Sequence, residues 1–280
     1  MSDIHRHAEI YHQLVVIDVG NTNMVVGVYR DDELAAHVRL STDRARTADE
    51  MGALLVPLFA HRRIALETTT DVIVSSVVPP LNPSLARLSR DYFGTAPIFV
   101  EPDLPIGLTI RYDHPSEVGA DRLVNAVAAR ARYGAPVIVV DFGTATTFDV
   151  IDAAGDYVGG IIAPGAGVAA DALAAKASRL SRIDIRKPEQ LVGRTTLGAM
   201  ESGVYYGYIG LVDGILARLR NAMPDLQRVV ATGGQASLIA ADSVYIDEVD
   251  PMLTLEGLRR IHAHLQTVGV HRPAPDASAD

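Results

Sequence analysis

Cysteine is absent from the 280 residues, which removes disulfides, thiolate zinc sites and cysteine nucleophiles together. Lysine is nearly absent: Lys176 and Lys187 are the only two, so the positive charge is almost all arginine. Neither lysine precedes serine or threonine, and no Gly-x-Gly-x-x-Gly occurs. A P-loop and a dinucleotide fingerprint are thus both excluded, and any phosphate site has to be built another way. No apolar run approaches the roughly 20 residues of a membrane span, and no Lys/Arg run forms a membrane-surface patch. The formal net charge of -9 leaves no concentrated basic surface for displacing counterions from a phosphate backbone. Neither nucleic acid nor membrane is an expected partner.

What is present is apolar: 48% of the chain is hydrophobic, enough for one large core or two smaller ones, and two domains are expected. The leader Met1–Gln13 is polar, without the apolar core of a signal peptide, so a cytoplasmic protein is expected. His5, His7 and His12 have a spacing that suits either metal chelation or an incidental polar tail, and the leader is assigned no role. The run Leu14-Val15-Val16-Ile17 predicts a strand buried on both faces, and Gly20-Asn21 predicts the turn of a hairpin that resumes at Met24. Thr47-Ala48-Asp49-Glu50 is a capping box opening a helix through Ala60, with Pro57 inside it. Strands over 71–77 and 97–101 flank a helix over 83–92. A helix is expected from Ala120 to Tyr133, stopped by Gly134. A strand then runs from Pro136 to Val140, followed by one over 148–151 and another over 157–162. Next comes a helix from the turn at Ala163 to Gly167 through Leu180. A long helix begins at Thr195 or Thr196 and continues to Met223, with Gly203, Gly207, Gly210 and Gly214 spaced for close packing or a dimer face. A strand over 228–231 feeds Thr232-Gly233-Gly234, and a last helix covers 253–265. The residues from His271 to Asp280 are read as a disordered tail.

Two segments share one form. Asp18-Val19-Gly20-Asn21-Thr22-Asn23 and Asp141-Phe142-Gly143-Thr144-Ala145-Thr146-Thr147 each end a buried strand in aspartate, place glycine two residues later, and turn on hydroxyl or amide side chains. One such turn is an ordinary hairpin or an anion-binding nest. Two of them suggest duplicated domains and a divided ATP site, with aspartates for cations and turns for phosphates. Asp121 and Arg122 fall at the start of the expected helix at Ala120. There an acid suits the dipole, and the arginine beside it is read as its surface partner.

These segments, together with Tyr112-Asp113, Gly119-Ala120-Asp121-Arg122 with Asn125, Gly159-Gly160 with Ala163-Pro164-Gly165, and Thr232-Gly233-Gly234, resemble the ordered motifs of type III pantothenate kinases. The resemblance spans Val15 to about Leu265. It implies an α/β fold of duplicated ribonuclease-H-like, actin-like ATPase domains with mixed sheets flanked by helices, in the superfamily of acetate and sugar kinases, Hsc70 and actin. It further implies ATP-dependent phosphorylation of pantothenate to 4′-phosphopantothenate, the first step of coenzyme A biosynthesis. By the same likeness Asp121 is the general base, while Tyr112, Gly119, Ala120, Asp121, Arg122 and Thr196 contact pantothenate. Asp18, Val19, Gly20, Asn21, Thr22, Asn23, Met24 and Val25 form the first phosphate loop and Thr144 belongs to the second. Asp141 holds a monovalent cation, K⁺ or NH₄⁺, and Asp18 serves Mg²⁺. A homodimer is implied as well. The chain departs from the family pattern at Leu180-Ser181, at Thr195 and in its longer leader. The expected division is a leader over 1–13, domains over 14–133 and 134–268, and a tail over 269–280. Other small-molecule kinases of this superfamily, and a non-catalytic regulatory homologue, are the competing readings.

Overall fold

The computed structural model describes residues 12–176 and 183–270. His5, His7, the Leu180-Ser181 departure, the far end of the helix expected through Leu180 and the tail from His271 lie outside the described residues.

Gln13–Val19 (β1) is buried at every position except Asp18, as its apolar run predicts. It pairs antiparallel with Asn23–Arg30 (β2), and β2 pairs antiparallel with Glu33–Ser41 (β3). The chain then enters Ala48–His61 (α1), where the Thr47 hydroxyl caps Glu50 and the Glu50 carboxylate returns to the Thr47 backbone. Those two bonds satisfy donors that a helix start otherwise leaves orphaned. Asp71–Ser76 (β4) lies parallel to β1, Asn82–Phe93 (α2) ends on Gly94 at φ 72, and Pro97–Phe99 (β5) lies parallel to β4. The sheet order is β3-β2-β1-β4-β5.

After Ala120–Tyr133 (α3) the plan repeats. Val137–Phe142 (β6), Ala145–Ile151 (β7) and Tyr157–Pro164 (β8) form the antiparallel set. Ala166–Lys176 (α4) and Thr196–Ala222 (α5) follow. Arg228–Gly233 (β9) is parallel to β6. Ala236–Ala240 (α6) leads to Glu248–Val249 (β10), parallel to β9, and Leu253–Thr267 (α7) completes the series. The second sheet runs β10-β9-β6-β7-β8. Read from the antiparallel edge, it has the same succession of strands as the first, so the duplication expected from the two aspartate turns extends to the whole topology. α6 and β10 have no counterpart among the expected elements, because five and two residues are too few for periodicity to show.

The chain forms two compact units: the residues up to Glu101 with those from His262 onward, and Pro102–Ile261. The expected boundary at 133/134 falls inside the second unit, between α3 and β6. α3 packs on β6 and β7 there, and every residue from Arg122 to Ala129 is buried. Its apolar side chains Leu123, Val124 and Val127 each contribute about 1.5–3 kcal/mol relative to exposure. The first core collects Val15, Ile17, Val26, Leu55, Phe59, Val74, Leu85 and Phe93, and the second collects Ile138, Val140, Phe148, Tyr205, Val212 and Val229. No described helix is long and apolar enough to cross a membrane.

Gly257 is where α7 meets α3: a Cβ there would lie 2.2 Å from the Val124 carbonyl oxygen, far inside van der Waals contact. Gly257→Ala is expected to cost about 1–3 kcal/mol through overpacking, measurable as a lowered midpoint in urea unfolding. An unchanged midpoint would show that the helices separate freely.

Candidate active site

The turn after β1 is knitted from within. Gly20 N–H donates to the Asn23 carbonyl at 2.9 Å, and Thr42 bonds to it twice, N–H to the Thr22 carbonyl at 2.9 Å and Oγ1 to the Gly20 carbonyl at 2.7 Å. Arg44 Nη2 donates to Asn21 Oδ1 at 3.1 Å, bringing a guanidinium to the edge of this loop. Asn21, Thr22 and Asn23 are exposed, whereas Asp18 is partly buried and Met24 is buried. Arg44 was not among the expected site residues, since an arginine in an irregular polar stretch carries no signal of its own.

In the second unit the equivalent turn depends on close backbone approach. Gly165 N–H donates to the Thr144 carbonyl at 3.1 Å, and a Cβ at Gly165 would sit 2.3 Å from that oxygen. Asp141 Oδ2 accepts from Asn125 Nδ2 at 3.0 Å, and Asn125 Oδ1 accepts from Thr254 Oγ1 at 2.8 Å, which fixes the amide orientation. Gly233, at φ +91, would place a Cβ 2.5 Å from Asp141 Oδ1. The glycine of the Thr232-Gly233-Gly234 segment is therefore required both by its backbone and by the carboxylate beside it.

The largest departure from expectation is Arg122. It is 7% exposed, so it is no surface partner of Asp121. Its Nε donates to Asp149 Oδ1 at 2.7 Å. Asp149, itself 0% exposed, also accepts from Tyr157 Oη at 2.9 Å and Thr147 Oγ1 at 2.9 Å. The Arg122 guanidinium lies 5.8 Å from the Tyr157 ring centre. Its Nη2 is buried with no hydrogen-bond partner among the described residues, an arrangement that costs free energy unless a ligand or an ordered water supplies an acceptor. A Cβ at Gly160 would fall 2.7 Å from Nη2 and 2.1 Å from the Phe148 carbonyl oxygen, and one at Gly159 would touch the Tyr112 ring at 3.5 Å. The glycine pair thus opens β8 to both side chains. Tyr112 is brought there by the backbone bonds from Arg111 N–H to the Tyr157 carbonyl and from Tyr157 N–H to the Thr109 carbonyl. Asp149 and Tyr157 were missed. The available signal was a lone carboxylate in the apolar strand Phe148-Asp149-Val150-Ile151, because a buried charge needs a partner.

Asp121 lies in the first turn of α3, where its Oδ1 accepts from the Arg122 N–H at 2.8 Å. Burial pushes its carboxyl above the usual range, the Arg122 N–H pulls it back, and Asp149 adds to the rise. Asp141 is pushed up to about 7, by burial first and then by Asp121 and Asp149, against the Asn125 hydrogen bond. Asp121 and Asp149 thus both act on Asp141, and only Asp121 and Asp149 are offset by the Arg122 guanidinium, an excess of negative charge in an oxygen-rich setting that suits a hard cation. Thr196 opens α5 under the Thr195 cap and is exposed. Among the described residues it makes no hydrogen bond to this cluster.

Comparison with known proteins bears on the fold and the family. Solved structures share the fold at low identity. The activator of the 2-hydroxyisocaproyl-CoA dehydratase from Clostridium difficile, with bound ADPNP, is 12% identical with a TM-score of 0.55, covering 94% of this chain and 99% of that one. A candidate N-acetylmannosamine kinase from Listeria monocytogenes is 12% identical with a TM-score of 0.51, covering 91% and 99%. The architecture is accordingly the actin-like ATPase and sugar-kinase fold. Curated type III pantothenate kinases are far nearer in sequence. That of Geobacter sulfurreducens is 51% identical across 89% of this chain and 98% of its own length, and that of Koribacter versatilis is 50% identical across 89% and 94%. With the type III pantothenate kinase family model matching residues 14–218 as well, the chain belongs to the type III pantothenate kinases.

Proposed function

We propose that this kinase transfers the γ-phosphoryl group of ATP to the terminal hydroxyl of pantothenate, and that Asp121 and Arg122 are the residues that receive the acceptor. The observation that carries the reading is the unpartnered Nη2 of Arg122 beside Asp121. A guanidinium whose Nε is already fixed by Asp149 offers its remaining N–H groups to a carboxylate without paying to orient itself. Pantothenate has such a carboxylate at one end and the reacting hydroxyl at the other. Tyr112, Gly119 and Ala120 line the acceptor, and Thr196 contributes from the start of α5.

Asp121 then removes the hydroxyl proton as the oxygen attacks the γ-phosphorus and ADP departs with the bonding pair. Its raised pKa makes it a better proton acceptor than an ordinary carboxylate, provided it is ionised at the working pH. Backbone N–H groups of the turn Asp18 to Val25, and the turn at Thr144, bind the phosphates. The carboxylates fit cations: Asp141 would hold K⁺ or NH₄⁺ and Asp18 Mg²⁺, ions that neutralise charge developing at the transferred phosphoryl group when bound. The enzyme acts in the cytoplasm as a homodimer, a reading supported by the open space at Gly203, Gly207 and Gly210, where an added Cβ would meet nothing within 4 Å.

Asp121→Asn is expected to fold and bind ATP while losing about 10²–10⁴-fold in turnover, measured as pantothenate-dependent ADP release. Turnover close to the unsubstituted enzyme would remove Asp121 from the base role.

The cation assignment predicts a pH-dependent stability. Burial, and then Asp121 and Asp149, push Asp141 from an ordinary 3.8 up to about 7, so the fold favours the protonated form. Without a cation, the stability this group contributes is greatest below pH 3.8 and is lost as pH rises through about 7. Added K⁺ or NH₄⁺ should raise the melting temperature above that pH and have little effect well below it. Asp141→Asn should flatten both dependences. A potassium response that is the same on both sides of the titration, or that survives Asp141→Asn, would place the ion elsewhere.

A further inference from the structure

Within the first unit, at the other end of β1 from Asp18, three side chains converge that the kinase reading does not use. His12 Nε2 lies 2.9 Å from Asp71 Oδ2, and His262 Nε2 lies 3.6 Å from the same oxygen. Ligand atoms of all three fall within 4.8 Å of one another. The two imidazoles stack, with ring centres 5.6 Å apart and 28° between their planes. We infer that His12, Asp71 and His262 form a binding site for a borderline divalent metal ion, Zn²⁺ foremost, that ties the first strand and the last helix to the sheet.

The donor set is the first argument. Two imidazoles and one carboxylate suit zinc, whose ligands at about 2.0–2.1 Å in a tetrahedron stand roughly 3.4 Å apart. The separations of 2.9 and 3.6 Å bracket that figure, so the ion would need only small side-chain shifts. Preorganisation is the second. His12 is pinned through its backbone, its N–H donating to Asp31 Oδ1 at 3.3 Å and its carbonyl accepting from the Asp31 N–H at 2.9 Å. Asp71 opens β4 in register with Leu14, and the preceding Thr70 is bonded to the Gln13 carbonyl through both its N–H and its hydroxyl. His262 is 4% exposed on α7.

Accessibility is the third argument. His12 is exposed, leaving one side for water to fill the fourth position. The Gln266 amide is hydrogen-bonded to His262 Nε2 itself at 3.2 Å, so an ion on that nitrogen would turn the amide from the ring to the water.

The role is structural. Leu14, opposite Asp71, and Asp18 lie four positions apart on β1, roughly 13 Å along the strand, so the ion takes no part in phosphoryl transfer.

The full chain, stripped of metal with a chelator and held in excess Mg²⁺ to occupy carboxylate sites, would be titrated with Zn²⁺ by calorimetry and with Co²⁺ by visible absorption. One equivalent of Zn²⁺ is expected, with an intense tetrahedral Co²⁺ spectrum and a raised melting temperature. His12→Ala, at an exposed position, and Asp71→Asn should weaken binding by about 100-fold or more and abolish the spectrum. The His5→Ala/His7→Ala double variant should retain both. An absence of Zn²⁺ uptake, undiminished uptake in His12→Ala, or loss in the His5/His7 variant alone would overturn the site. None of these readouts depends on kinase activity.

Discussion

The ion pair between Arg122 and Asp149 constrains the second unit more than any other contact. Removing two charges from water costs several kcal/mol per ion, and mutual attraction offsets that only when the remaining hydrogen-bonding capacity is also used. Asp149 meets this condition with three donors, Arg122, Tyr157 and Thr147. Arg122 does not, because Nη2 is left over. Much else follows from accommodating the guanidinium. β8 needs two consecutive glycines beside it, the Tyr157 ring takes its position near the cation, and the start of α3 is oriented so that Asp121 stands next in sequence.

An unsatisfied donor of this kind is available to an acceptor from outside the protein, whether a bound carboxylate or a water. The same reasoning covers the excess of acid. Burial raises the proton affinity of Asp121, Asp141 and Asp149, Asp149 adds to the rise at Asp121, and both add to it at Asp141. The imbalance suits chemistry that brings its own cations and needs a carboxylate eager for a proton. Stability alone would have favoured fewer charges.

Duplication shows what the fold requires and what it leaves free. Both sheets have three antiparallel strands followed by two parallel ones, and both central strands have aspartate as their penultimate residue. Beyond that plan the halves diverge. Polar bonding within the first sheet concentrates at its Asp18 turn and at the opposite end, where Asp71 takes two histidines. The second buries charge in the body of the sheet, on β7. Strand order is set by backbone pairing and apolar packing, which tolerate either arrangement.

Elements with a strong local signature were legible in the sequence. The capping box at Thr47, the stretch from Ala120 to Gly134, the apolar runs of β1 and β6 and the paired aspartate turns each depend on neighbours a few residues away. Short-range sterics, helix capping and side-chain periodicity act at that distance, so the sequence by itself determined these elements and, through their repetition, the duplicated plan. Three matters waited for tertiary structure: the partner of Arg122, the unit to which α3 belongs, and the meeting of His12, Asp71 and His262. Each joins residues from separate elements, His12 and His262 from nearly opposite ends of the chain. Such partners are chosen by how whole faces pack, because a buried charge takes whichever opposite group the completed core leaves within reach.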